Sequence, residues 1–209
     1  MKKRIMKMAA AAAFASAALS AGSINFDDQP TAPSGISSIA LTNQYAAQGV
    51  LFNRISASQS FKSNVIPASS PNYASLFFGN SGPGDFIFVD PTNSSINAVA
   101  TGVSFTLLGL NTANAAGSYS GATIEALDIF GNVISGDTQV IAPTSTTTSS
   151  QVLSFAGPVH EIRFTLNGGS GILPFDDLTF RTISVPTPEP GTFALIGAGV
   201  LVACFRRRR

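Results

Sequence analysis

The sequence has very little cysteine, histidine and tryptophan, and these absences exclude several classes of protein. Its 209 residues include one cysteine, one histidine and no tryptophan. A single cysteine, Cys204, excludes a disulfide framework, so the compartment must be inferred from targeting signals. The same scarcity excludes a zinc site built from clustered His and Cys ligands, and no Gly-rich phosphate-binding loop stands between a strand and a helix.

Charged side chains are scarce and unevenly placed. Four of the twelve basic residues lie in the N-terminal segment MKKRIMK, and four more form the final run Arg206, Arg207, Arg208 and Arg209. Between these ends, residues 23–185 carry four basic and ten acidic side chains, a net charge of −6. Such an acidic body offers no electrostatic surface for nucleic acid, which we exclude as a partner.

The N-terminal segment has the three parts of a secretory signal peptide. MKKRIMK precedes the short apolar run MAAAAAFASAAL, and ALSAGS supplies small residues for cleavage between about Ser20 and Ser23. The alternative, an Ala-rich amphipathic helix, is disfavoured because no polar face interrupts the run. We therefore expect residues 1–22 to be a signal peptide helix that signal peptidase removes, and the body to be exported.

The C-terminus combines a proline-rich spacer, an apolar run and an arginine cluster. Proline keeps the spacer extended and free of helix. Residues 191–205 carry no charge, and as a helix they would span roughly 22 Å against a hydrocarbon core of about 30 Å, a gap that snorkelling arginines can close. The positive-inside rule keeps the arginines of residues 206–209 cytoplasmic. The sequence therefore predicts a single transmembrane helix over about 191–205, with the body outside.

This C-terminal arrangement resembles the PEP-CTERM protein-sorting signal of exopolysaccharide-producing Gram-negative bacteria. The matching residues are the motif Pro188, Glu189 and Pro190, the apolar run 192–205 and the final four arginines, all within residues 186–209. The resemblance implies recognition near Pro-Glu-Pro by an exosortase, a membrane cysteine protease or transpeptidase. The tether in the inner membrane would then be transient. The alternative is a permanent single-pass anchor with a proline-rich stalk.

The body, residues 23–185, shows no long helical periodicity. Short β-branched and aromatic runs alternate with turn residues, as in GVLFNRISA, DFIFVD, AVATGVSFTLLG, ATIEALDIFGNVIS and VHEIRFTL. The third of these is predicted to bend at Gly102, and the fourth to form a hairpin about Gly131 and Asn132. About nine strands separated by turns predict an all-β fold, a jelly-roll-like antiparallel β-sandwich with a Phe/Leu/Ile core.

The body also resembles the lectin-like jelly rolls that are common in exported PEP-CTERM proteins. The phrases that carry this resemblance are INFDDQP, NQYAAQGVLF, LDIFGNV and LPFDDLTF. In many jelly rolls the first and last strands pair, and carboxylates from both hold a structural Ca²⁺. The resemblance therefore implies this role for Asp27 or Asp28 together with Asp176 or Asp177. Adjacent strand residues point to opposite faces, so one of each pair can enter a site, and Asp28 with Asp177 is the preferred pair. The alternative is that these aspartates cap backbone N–H groups at strand ends.

The sequence gives little support for catalysis, and we expect no enzyme. A glycosidase needs two carboxyl groups about 5 to 9 Å apart around a cleft, and nothing in the sequence marks a cleft. A Ser-His-Asp triad is disfavoured because the sequence has no Gly-x-Ser-x-Gly elbow. The single histidine, His160, shares a predicted strand face with Ile162 and Phe164, which favours a partly buried structural role.

Carbohydrate binding would need exposed aromatic residues near polar groups. Of the three tyrosines, Tyr119 in AAGSYSG is the best placed on a predicted loop, although loop tyrosines are also common without a function. Together the signals predict an exosortase-processed protein of the surface or extracellular matrix of a Gram-negative bacterium. Its body would be a non-catalytic structural or carbohydrate-interacting module, with exopolysaccharide as a candidate partner. The alternatives are a secreted carbohydrate-active hydrolase and a permanently anchored surface protein.

Overall fold

A computed structural model gives the structure of the protein. It describes residues 21–29, 38–59, 65–66, 69, 71–77, 83–110, 118–119, 121–142, 150–167 and 171–186. The predicted signal peptide up to residue 20 and the predicted transmembrane helix lie outside these residues. Within them, no helix has the length and apolar character needed to cross a membrane. The predicted domain boundaries at residues 22 and 185 stay predictions.

Eighteen short strands and one 3-10 helix make up the described part of the chain. The strands are β1 (Gly22–Ile24), β2 (Ile39–Leu41), β3 (Val50–Asn53), β4 (Ile55–Gln59), β5 (Val65–Ile66), β6 (Asn72–Phe77), β7 (Gly84–Asp90), β8 (Asn93–Asn97), β9 (Val99–Thr101), β10 (Val103–Leu107), β11 (Gly109–Leu110), β12 (Ser118–Tyr119), β13 (Ala122–Leu127), β14 (Val133–Ile141), β15 (Gln151–Phe155), β16 (Glu161–Leu166), β17 (Gly171–Phe180) and β18 (Thr182–Ser184). The 3-10 helix is Ala46–Gln48, between β2 and β3.

Most of these strands belong to two sheets. In the larger sheet the order is β15–β10–β17–β6–β4–β2, and both β1 and β12 also pair with β17. In the smaller sheet the order is β14–β13–β16–β7–β3, with β8 paired to β7. The pairs β11–β5 and β18–β9 stand apart from these sheets. The pairings are antiparallel except for that of β12 with β17.

The two sheets face each other across a core that is rich in phenylalanine. Phe86 and Phe164 come from the smaller sheet, and Phe105 and Phe175 come from the larger one; all four are buried. Each of these rings contacts the other three, with centroids 5.2 to 6.3 Å apart. Aromatic pairs at this spacing add specific attraction to the burial of apolar area. The prediction of an all-β antiparallel sandwich with a Phe-rich core is confirmed.

Two local predictions are also confirmed. Gly102 separates β9 from β10 and has a φ of +58°, so the chain bends there from one strand pairing to another. Strands β13 and β14 form the predicted hairpin, with Gly131 at a φ of +81° in the turn. The Asp128 carboxylate closes this turn by accepting from the backbone N–H groups of Phe130 and Asn132, at 2.8 and 2.9 Å.

The long strand β17 organises the larger sheet. Along one edge it pairs with β6 through residues 172–175 and with β1 through residues 178–180. Along the other edge it pairs with β10, and the register shifts between Ser104 and Thr106, where β17 contains one extra residue. Asp177 lies in this β-bulge, with a φ of +50°. The first strand of the chain is thus joined to a strand near its C-terminal end.

Candidate functional site

The two Phe-Asp-Asp segments, residues 26–28 and 175–177, meet beside β17 where its partner changes from β6 to β1; we call this region the Asp edge. β1 ends at Ile24, which stands opposite Leu178 of β17. The first segment follows β1 directly, and the second lies in β17 immediately before Leu178. The pairing of an early strand with a late one, which the jelly-roll resemblance implied, therefore brings the segments close.

Each Phe-Asp-Asp segment contains a non-glycine residue with a left-handed backbone. Phe26 has a φ of 62° and Asp177 a φ of 50°. Tertiary packing holds Phe26 in this conformation: its buried ring lies edge-on to those of Tyr45 and Phe175, at centroid distances of 5.7 and 5.8 Å. In the turn that follows, Asp27 is half-buried and Asp28 is exposed.

Asp176 is fully buried and anchors a distant segment of the chain. Its Oδ2 accepts from the backbone N–H of Ser69 at 2.9 Å and from the Ser69 hydroxyl at 3.0 Å. Its Oδ1 accepts from the backbone N–H of Asp177 at 2.8 Å. Burial raises the pKa of Asp176 to about 6, although these donors oppose the shift. The Ser69 hydroxyl also lies 3.5 Å from the carbonyl oxygen of Asn25, the residue before the first segment.

Asp28 belongs to a hydrogen-bonded triangle. Its Oδ1 accepts from the Tyr45 hydroxyl at 2.5 Å and from the Gln29 side-chain amide at 3.2 Å. The same Gln29 amide donates to the Tyr45 oxygen at 3.0 Å. Burial raises the pKa of Tyr45 above its usual range, and the bond to Asp28 adds to that shift, so the phenol stays protonated as the donor.

Asp27 and Asn72 hold the turn after β1 against strand β6. The Asp27 Oδ1 accepts from the backbone N–H of Asn72 at 2.9 Å. The buried side-chain amide of Asn72 donates in return to the carbonyl oxygens of Phe26 and Gln29, at 3.1 and 3.0 Å. These bonds satisfy backbone groups that the turn would otherwise leave buried and unpaired.

The calcium role implied for Asp27, Asp28, Asp176 and Asp177 stays a prediction. Among the residues that the structure describes, no group of three or more Asp, Glu, His or Cys side chains is placed to hold a metal ion. Calcium takes six to eight oxygen ligands, so an ion here would need carbonyl oxygens as well. It would also compete with the donors that now bind three of these carboxylates. Asp27 and Asp176 each accept a hydrogen bond from a backbone N–H group, as the capping alternative predicts.

The structure places the remaining candidate residues away from this edge. Tyr119 lies in β12, which pairs with residues 171–172, so the prediction of a loop at this position is wrong. A ligand-binding role for Tyr119 stays a prediction. His160 is buried, and its Nδ1 lies 2.7 Å from the Ala98 carbonyl oxygen, as expected of a structural histidine.

Sequence reasoning missed several residues of this edge. Ser69 and Asn72 lie in no motif, and nothing local in the sequence marks them; Gln29 lies in INFDDQP, a resemblance phrase in which only the aspartates had a role. Tyr45 lies in NQYAAQGVLF, a phrase that carried the jelly-roll resemblance without an assigned role. The sorting residues Pro188 to Arg209 lie outside the described residues.

Comparison with known families confirms the C-terminal signal. Residues 186–209 match the PEP-CTERM protein-sorting motif, and this match includes Pro188, Glu189, Pro190 and the four final arginines. The motif implies export, sorting through a membrane-anchored form and processing by an exosortase.

No curated protein is significantly similar to this chain. Among solved structures, the enzymatically active domain of tailspike protein 4 of bacteriophage CBA120 is similar at 15% identity and a TM-score of 0.35, covering 70% of this chain and 21% of that chain. This chain thus spans about a fifth of the tailspike chain's length. The K2 cleaved adhesin domain of Lys-gingipain is similar at 12% identity and a TM-score of 0.34, covering 82% of this chain and 93% of that chain. Neither likeness bears on function.

Proposed function

We propose that the chain is an exosortase-processed protein of the cell surface or extracellular matrix of a Gram-negative bacterium. Residues 1–22 would be the signal peptide, residues 23–185 a jelly-roll-like module and residues 186–209 the sorting signal. The module would act without catalysis, as a structural or saccharide-binding unit. The observation that carries this proposal is the PEP-CTERM motif at residues 186–209.

The fold supports a precursor that is tethered at one end. Gly22 of β1 pairs with Phe180 of β17, and Ala21 lines the same surface groove as Ile183. The chain therefore enters the body beside the strand from which it later leaves. The signal peptide and the sorting segment would both reach one membrane from this end of the body, so the chain would not have to run along the length of the body.

A hydrolase is the alternative, and the surroundings of Asp176 argue against this residue as its general acid. Asp176 has the raised pKa that a general acid needs. However, it is fully buried, and its oxygens accept from Ser69 and Asp177. A substrate could reach it only if these contacts were broken.

Intact mass tests the proposal. The protein would be extracted from the surface of its host, with and without the host's exosortase. We expect a new C-terminus between about residues 185 and 190 only when the enzyme is present, with added mass if the end is transferred to another molecule. A matched variant, Glu189→Ala, should keep the full tail in both strains. A wild-type chain that retains Arg209 in both strains would contradict sorting and favour a permanent anchor.

A further inference from the structure

A row of hydroxyl side chains crosses the outer face of the larger sheet. Ser154 of β15 stands opposite Ser104 of β10, which stands opposite Thr179 of β17. Ser23 of β1 continues the row opposite Thr179. Residues directly opposite one another project from the same face, and four strands at 4.7–4.9 Å spacing make the row about 14 Å long. The row is thus a polar surface of the length of a short oligosaccharide.

Three of these hydroxyls line a surface groove together with Arg181. The groove is lined by Ser104, Ser154, Thr179 and Arg181, and residues Gly22, Gly102, Phe155 and Phe180 complete it. The Ser104 and Thr179 hydroxyl oxygens lie 2.8 Å apart, so each orients the other. We call this surface the hydroxyl groove.

The Arg181 side chain lines the hydroxyl groove and is available to a ligand. It lies against Gly102, where a Cβ atom would come within 2.9 Å of the Arg181 Cδ. Within the described part of the chain, its guanidinium forms no ion pair, whereas Arg163 pairs with Glu161 at 2.7 Å. Because residues 23–185 carry a net charge of −6, a polyanion is repelled from most of the body, and Arg181 stands out as a point of attraction.

We propose that the hydroxyl groove binds a segment of an acidic polysaccharide, a proposal that rests on the saccharide-binding role given above. The planar guanidinium of Arg181 fits the carboxylate of a uronic acid through two parallel hydrogen bonds. The Ser and Thr hydroxyls both donate and accept, as sugar hydroxyls do, so they match neighbouring positions of the saccharide. The aromatic rings of the groove are almost fully buried and offer no stacking platform, so binding depends on polar contacts and weakens with salt.

The test is calorimetric titration of the exported protein, extracted from its host, with tetramers of galacturonate, glucuronate and mannuronate. We expect at least one uronate to bind, with an affinity at least tenfold lower for Arg181→Gln. Thr179→Val keeps the shape of the side chain and should lower affinity severalfold. The matched control, Arg163→Gln, removes an arginine from the other sheet and should leave affinity unchanged. Because Arg181 is exposed, its variant should unfold at the wild-type temperature, which shows that lost binding is local.

Three results would overturn the proposal: no uronate binds, Arg181→Gln binds as tightly as the wild type, or neutral tetramers of galactose bind as well as the uronates. Equal affinity for a sulfated tetramer would identify a general anion site and would overturn the uronate assignment. The mass of the same samples separates this proposal from the sorting proposal. A cleaved tail without saccharide binding contradicts only the groove, and an intact tail with saccharide binding contradicts only the sorting.

Discussion

The hydroxyl of Tyr45 donates to the carboxylate of Asp28 at 2.5 Å, across 17 positions of the chain. Gln29 donates to both partners, and the three side chains join the turn after β1 to the 3-10 helix before β3. The Tyr45 ring also packs edge-on against Phe26 and Phe52, at 5.7 and 5.8 Å. One side chain therefore connects the polar edge of the sheet with the aromatic core.

We expect Tyr45→Phe to lower the free energy of unfolding by about 1–3 kcal/mol. The variant keeps the buried ring and removes only the hydroxyl, so the loss reflects a hydrogen bond to a charged group. Urea unfolding at pH 7 measures the change. A double-mutant cycle with Asp28→Asn should give a coupling of about 0.5–3 kcal/mol between the two side chains. Additive single effects would show that the two residues do not act together.

The buried carboxyl of Asp176 should make the protein less stable as pH rises from about 4 to 6. Burial raises the pKa of this group to about 6 in the folded protein, above the usual range of an unfolded Asp. Across this window the unfolded chain loses the proton while the folded chain keeps it, so the folded state binds more protons. The free energy of unfolding therefore falls with rising pH and levels off above about 6.

Urea unfolding at closely spaced pH values measures this decline, and Asp176→Asn should reduce it. Burial also raises the pKa of Asp85, so this carboxyl contributes a decline of the same sign that the variant retains. Asp90 and Asp128 provide an internal contrast. The side-chain hydrogen bonds from Thr92 and Asn132 lower the pKa values of these two aspartates. They therefore change stability at pH values below the usual pKa of Asp, and there the free energy of unfolding rises with pH. A decline between pH 4 and 6 that is as large in the Asn variant as in the wild type would assign it to a group other than Asp176.

Calcium coordination by Asp28 and Asp177 predicts a rise in the unfolding temperature. An ion at a hundred times its dissociation constant adds about 2.7 kcal/mol, which for a body of this size is about 5–10 °C. The measurement compares melting in EDTA, in excess calcium and in excess magnesium, and Asp177→Asn should remove the response. A melting temperature that does not change with calcium would contradict coordination and leave hydrogen bonding to Tyr45 and Gln29 as the role of the Asp28 carboxylate.

The sequence alone predicts the strands and turns whose structure depends on local periodicity and turn residues. In residues 161–164, Ile162 and Phe164 are buried and Arg163 is half-buried on the other face, as alternation predicts, whereas Val159, predicted to face outward, is buried. The hairpin at Gly131 followed in the same way from turn chemistry. The same reasoning failed at Tyr119. Its Gly- and Ser-rich neighbours indicate a loop, whereas pairing with residues 171–172 places it in a strand.

The arrangement of the Asp edge could not be predicted, because it depends on contacts between distant positions. Ser69 and Asp176 are 107 residues apart, and Asn72 and Asp27 are 45 apart. The left-handed backbone of Phe26 could not be predicted either, because a Phe at positive φ is held by packing and not by its own conformational preference. Pattern reasoning therefore found the aspartates but not the residues that bind them.

Gly102 and Gly131 form a matched pair that separates backbone strain from side-chain contact. Both have positive φ, +58° and +81°, so replacement by Ala should cost each about 1–2 kcal/mol in unfolding free energy. At Gly131 an added Cβ would meet nothing within 4 Å, whereas at Gly102 it would come within 2.9 Å of the Arg181 side chain. Because that side chain is flexible, it should move aside at a small further cost. Gly102→Ala should therefore be only slightly less stable than Gly131→Ala in urea, yet it alone should weaken uronate binding. Equal binding by both variants would show that Gly102 does not position Arg181.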